Sequence, residues 1–189
     1  MHRGRLEAFS DGVIAILITI MVLELKVPRG ASFADLRPLL SVFLSYVLSF
    51  VFLGIYWSNH HHMLQMVDRV NGKILWANLH LLFWLSLVPF VTAWMGENGA
   101  APLPTSLYGV VLLLAGIAYT VLQTSIIRSQ GPESRLAAAV QGDLKGKASI
   151  VLYAAAIPAA FVDRRISIAI YVAVALMWLV PDRRIESRY

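Results

Sequence analysis

Asp11 lies about one turn inside an almost unbroken run of Ile, Leu, Val, Met and Ala that ends at Leu23. A carboxylate at the middle of a membrane helix costs about 2.5–3.5 kcal/mol on insertion scales, and less near the interface, unless it finds partners. Trp57, His60, His61 and Asn78 are the polar side chains elsewhere in the chain that fit that role. Arg5 is six residues from Asp11 and points elsewhere round a helix, so a direct pair within the helix is not expected. His60-His61-His62 has the residue type for metal binding but not the spacing. Adjacent helical residues diverge by about 100°, whereas helical chelation needs ligands three or four apart, as in HExxH. His80 has no haem motif around it. A nucleophile elbow, a Walker loop, a dinucleotide fingerprint and a paired-carboxylate motif are all missing, so enzyme chemistry has no candidate residues. No cofactor and no small-molecule substrate are expected.

The elements that must position these residues follow from composition. The chain has 189 residues, 58% hydrophobic and 14% charged, with a mean hydropathy of +0.68 and no cysteine. A soluble domain of that size could not hide so much apolar surface, which makes this an all-α integral membrane protein in contact with lipid. The net charge of +5 sits in short segments between apolar runs, the pattern of membrane loops rather than of a nucleic-acid surface. The first run carries Asp11 and has no Ala-x-Ala-type site before Glu24, so it reads as a retained span rather than a cleaved signal. Its 21 residues from Arg5 to Leu25 would cover about 32 Å as a helix, the thickness of a bilayer core.

Six spans are expected in a single transmembrane domain covering 1–189: about 5–27, 39–62, 74–94, 107–127, 148–162 and 166–181. Pro28 closes the first and Pro38 opens the second, where Ser41, Ser45 and Ser49 form a small-residue face suited to close helix contact. Pro89 is placed to kink the third. The last two are short, and could either extend by snorkelling of Lys145, Lys147, Arg164 and Arg183 or form a tight hairpin. With six spans, eleven of the 16 Lys and Arg fall on the side of the termini, so both termini of this multi-pass protein of the cell membrane are expected in the cytoplasm.

On a helical wheel Ile16, Thr19, Ile20 and Leu23 form one stripe and Asp11 projects to the far side. The stripe fits ordinary helix packing or the wall of an ion pathway; spacing alone does not choose. A TVGYG-type filter loop is missing, which excludes an ordinary potassium-channel pore loop.

Arg5-x-x-x-Phe9-Ser10-Asp11, followed by Gly12-Val13-x-Ala15-Ile16-x-x-Thr19, resembles the signature of the transmembrane-protein-175 family of potassium channels. Trp57-x-x-His60-His61, Trp76-x-Asn78-Leu79 and Pro89-Phe90-x-Thr92 resemble the family's second and third helices. The resemblance covers the first half of the chain, and the six-span length fits the single-repeat bacterial type. It implies a homotetramer without a re-entrant pore loop, the first helix of each subunit lining a central pathway for potassium. By position Ile16 would be the hydrophobic constriction, with Ile20 and Leu23 further outward, and Thr19 the level associated with potassium preference. Arg5, Phe9, Ser10 and Asp11 would join the first helix to Trp57, His60, His61 and Asn78. No bound metal is implied beyond transient potassium in the pore. The competing expectation is a proton-coupled secondary transporter that uses Asp11, His60 and His61.

Overall fold

The computed structural model describes residues 2–140 and 143–179, and every regular element in them is helical. The first helix, α1, covers Arg3–Leu23 and is capped at Glu24. It stops about a turn before the expected 27, and Pro28 disfavours helical backbone at Val27. Lys26, in the connection that follows, reaches Glu97 at 2.6 Å. That hydrogen bond and the carboxylate charge hold the lysine pKa above its usual value. A short helix α2, Phe33–Leu36, is capped by Asp35, whose carboxylate accepts from the Ser32 N–H at 3.0 Å. A 3-10 turn over Arg37–Leu39 with Pro38 near its start then feeds α3, Leu40–Gln65.

The third apolar run breaks into α4, Gly72–Ser86, and α5, Val88–Glu97. Pro89 is the cause: it has no N–H to give the carbonyl one turn back, so the ladder is interrupted at Leu87. Helix α6 covers Pro102–Gln130, longer than the expected 107–127 at both ends. Pro102 is tolerated in its first turn, and Gly131 ends it by turning to φ 97°, its N–H still donating the last helical bond to the Ile127 carbonyl at 2.9 Å. After the six-residue α7, Arg135–Val140, the last described residues form a hairpin of α8, Leu144–Val162, and α9, Arg164–Leu179. Asp163 makes the turn, its carboxylate accepting from the Arg165 N–H at 2.9 Å. The expected end of the last span at Pro181, and Arg183, Arg184 and Arg188, lie outside the described residues.

Helix α6 is the centre of the bundle, packing on α4, α5, α8 and α9. Helix α3 packs on α5, α9 and α1, while α1 stays on the rim against α3, α4 and α5. The interior is apolar, with Phe52, Leu53, Tyr108, Tyr153 and Tyr171 buried at its middle. The outside is apolar too: Phe43, Leu44 and Phe50 on α3 and Trp76 and Phe83 on α4 are all exposed. Such a surface belongs in lipid or against other chains. Five helical stretches, 3–23, 33–65, 72–97, 102–130 and 144–162, are long and apolar enough to cross a membrane.

Small residues set the close contacts, as the serine face of α3 suggested. Ser45 and Ser49 are buried, and Gly96 of α5 lies so near α3 that a Cβ there would stand 2.8 Å from the Val42 Cα. A backbone atom cannot swing aside. Gly96→Ala is therefore expected to destabilise the protein by about 1–3 kcal/mol, read as a lower Tm in detergent. Gly54→Ala, which meets open space on α3, is expected to leave Tm unchanged or raise it slightly.

Candidate functional site: the rim helix and its polar anchor

Helix α1 has two contrasting sides. Leu6, Ser10, Ile14, Leu17 and Met21 recur at spacings of four and three and are buried against the bundle. Arg5, Phe9, Gly12, Ile16, Thr19, Ile20 and Leu23 face outward, with Ile16 57% and Leu23 78% exposed. The Thr19 hydroxyl donates to the Ile16 carbonyl at 2.9 Å. Its proton is thus engaged, and the oxygen lone pairs are left facing away from the helix.

The buried side carries a chain of polar contacts that joins three helices. Ser10 donates to the Leu6 carbonyl at 2.9 Å and accepts from Asn78 Nδ2 at 2.9 Å. Asn78 Oδ1 lies 2.7 Å from His60 Nε2, which must carry the proton because the partner is a carbonyl oxygen. Ser10, His60 and Asn78 are all fully buried. His60 Nδ1 is buried without a hydrogen bond.

A second set of contacts lies beside it on the α1–α3 seam. Trp57 Nε1 donates to Asp11 Oδ1 at 3.1 Å, and His61 Nδ1 lies 2.9 Å from Glu7 Oε1. Trp57 and His61 stack with ring centroids 6.1 Å apart. Lower on the same seam Arg3 Nη1 donates to the Gln65 carbonyl at 2.9 Å.

Of the residues expected to fasten α1, then, Ser10, Asn78 and His60 meet in one chain of hydrogen bonds, and Asp11 meets Trp57. His61 meets Glu7, which the sequence reading passed over although it stands one turn before Asp11. Arg5 and Phe9 are exposed, and Arg5 has no side-chain partner among the described residues. Also missed was a buried cluster in the bundle itself. Ser49 lies 2.6 Å from Thr92 and 3.0 Å from Tyr108, and Thr92 also donates to the Val88 carbonyl at 2.7 Å. Thr92 ends the Pro89-Phe90-x-Thr92 motif, so the signal was present without a partner to explain it.

A bundle of apolar helices with apolar outer faces and a polar-anchored rim helix defines an all-helical membrane protein. The family model for the endosomal/lysosomal potassium channel TMEM175 matches residues 5–89, which hold all but the first two residues of α1, the anchor and the Pro89 break. A protein described as a potassium channel from Chryseobacterium sp. (strain P1-3) is 55% identical over 187 residues, 99% of this chain and 97% of that one. Another so described, from Streptomyces collinus, is 34% identical over 134 residues, 67% of this chain and 65% of that one. The crystal structure of a lysosomal potassium-selective channel TMEM175 homolog from Chamaesiphon minutus superposes with a TM-score of 0.78 at 28% identity. That match covers 96% of this chain and 97% of the other. The chain belongs to the TMEM175 family, a family of ion channels rather than of enzymes.

The anchor makes a stability prediction of its own. Asn78→Leu removes both the donor to Ser10 and the acceptor from His60, stranding a buried imidazole N–H. A loss of about 1–3 kcal/mol is expected, read as a fall in Tm. Trp57→Phe keeps an aromatic ring at a half-exposed position and loses the indole N–H to the partly exposed Asp11, so its fall should be clearly smaller.

Proposed function

We propose that this chain is the subunit of a potassium-preferring cation channel of the cell membrane, in which four copies bring their α1 helices together round a central pathway. Six spans, the sixth being α9, put both termini in the cytoplasm. The outward stripe Ile16, Thr19, Ile20 and Leu23 lines the pathway, and the contacts of Ser10, Asp11, Trp57, His60, His61 and Asn78 hold the helix from behind. The observation that carries this reading is the outward stripe itself. A rim helix held by polar contacts on its inner side leaves apolar rings and one hydroxyl level facing out.

The physics of such a pathway is simple. A ring of Ile16 side chains excludes water when narrow and conducts only when the helices part. Potassium sheds hydration water more cheaply than sodium, so an apolar neck that enforces partial dehydration favours it. Thr19 assists because its proton is already engaged by the Ile16 carbonyl, so the oxygens of a Thr19 ring face the ion. Proton-coupled transport is less well supported, since Asp11 is held by Trp57 while His60 is turned to Asn78.

The experiment is potassium and sodium flux from liposomes, with the oligomer mass measured on the same sample. Ile16→Asn is expected to leak faster and to discriminate less between the two ions; flux equal to wild type in rate and ratio would place the constriction elsewhere. Thr19→Val is expected to keep the rate within a few-fold and lower the potassium/sodium ratio. A monomer, or uptake that saturates and requires a proton gradient, would overturn the channel reading.

A further inference from the structure

We propose that Glu7, Asp11 and His61 form a site for a divalent transition-metal ion, zinc being the simplest, that fastens α1 to α3. One oxygen from each carboxylate and one ring nitrogen of His61 lie within 4.8 Å of one another. Two ligands come from α1 at a spacing of four, the helical spacing that the histidine run lacks, and the third comes across the seam from α3. Bonds of about 2.1 Å at a tetrahedral angle hold ligand atoms about 3.4 Å apart, so a small rotamer adjustment closes the set.

Four further observations point to a cation there. Among the described residues neither carboxylate is paired with Lys or Arg, although the Glu7 side chain is only 18% exposed. His61 Nδ1 is buried and makes no hydrogen bond even with Glu7 Oε1 at 2.9 Å, so that contact lies off the N–H axis. The other ring nitrogen has an outer partner: Gln65 Nε2 lies 2.7 Å from His61 Nε2. A half-turn of that amide lets it accept from Nε2–H, which frees the Nδ1 lone pair for a metal, as outer partners of metal-bound histidine do. Trp57 occupies one oxygen of Asp11 and leaves the other. One imidazole and two carboxylates suit zinc or cobalt; calcium and magnesium prefer sets made wholly of oxygen.

The site is independent of conduction, so a chain that passed no potassium would still report on it. Untagged protein, freed of metal in detergent, is titrated with zinc chloride by calorimetry. One zinc per chain is expected, and at a hundred times Kd a rise in Tm of about 5 °C or more. Cobalt(II) at the site should give the intense visible bands of four-coordination. Glu7→Gln and His61→Asn should weaken zinc by at least tenfold, while the exposed His80→Gln binds as wild type. Should either variant fail to fold, Asp11→Asn gives the same reading. No saturable uptake below about 0.1 mM, far weaker than protein zinc sites, would overturn the proposal, as would unchanged affinity in the ligand variants. That is also the result if an arginine of another copy already neutralises the pair.

Discussion

Asn78 is a side-chain amide in the interior of a membrane protein, where no water stands ready to replace a lost partner. Its two ends are used by two different helices: Nδ2 donates to Ser10 of α1 and Oδ1 accepts from His60 of α3. A polar group stranded in such a place costs more than the hydrogen bond it lost. The three helices must therefore keep their depth and rotation relative to one another. For α1 the consequence is strict, because Ser10 and its neighbour Asp11 point about 100° apart and are held by α4 and α3 respectively. A helix held in two directions at one level cannot roll about its axis. The identity of its outward residues follows from the inner contacts.

The rest of the bundle supplies the frame against which α1 is held. Helix α3 is pinned at two levels, by the His60–Asn78 contact and by Ser49 against Thr92 and Tyr108. Those levels are eleven residues apart, about 17 Å along the axis. Helix α6 touches most of the other helices, and Tyr171 ties α9 to it by donating to the Thr105 carbonyl at 2.9 Å. By contrast, among the described residues the polar side-chain contacts of α1 to other helices all involve Arg3 to Asp11. Its second half is held by the apolar side chains of Ile14, Leu17, Ile18 and Met21. The half that carries the proposed pathway is thus the one with only nondirectional contacts behind it.

Much of this was legible in the residues. Hydropathy marked the apolar runs and Pro89 the break between α4 and α5, while the shortness of the last two runs left a hairpin as one of two alternatives. The wheel separated Asp11 from the Ile16 stripe, and the structure places Asp11 against Trp57 on the side away from it. Helix ends were less legible, because Gly131 and Pro102 act through backbone geometry at the boundaries of α6 rather than through hydropathy. Glu7 was invisible for another reason. At the charged start of an apolar run a carboxylate resembles an ordinary solvated residue, and only the approach of α3 brings His61 to it. Arg5 shows the opposite limit: its motif predicts a partner, and its own chain offers none among the described residues.

That unpartnered arginine sharpens the argument about assembly. Gly4, Ala8, Gly12, Ala15 and Thr19 recur at spacings of four and three and are all exposed, so small side chains run down the outer side of α1 beside the larger stripe. Nothing lies within 4 Å of where a Cβ would stand at Gly4 or Gly12. Within one copy that row has no purpose, since lipid packs against large apolar residues as readily as against small ones. Between copies it lets backbones approach closely. An arginine and a threonine hydroxyl on the same outer side are costly against hydrocarbon and acceptable against water or another chain. A helix that buries one side in its own bundle, offers small residues on a second and turns apolar rings with one hydroxyl on a third has the three surfaces that a ring of such helices requires. A helix meant only to face lipid needs neither the small row nor the hydroxyl.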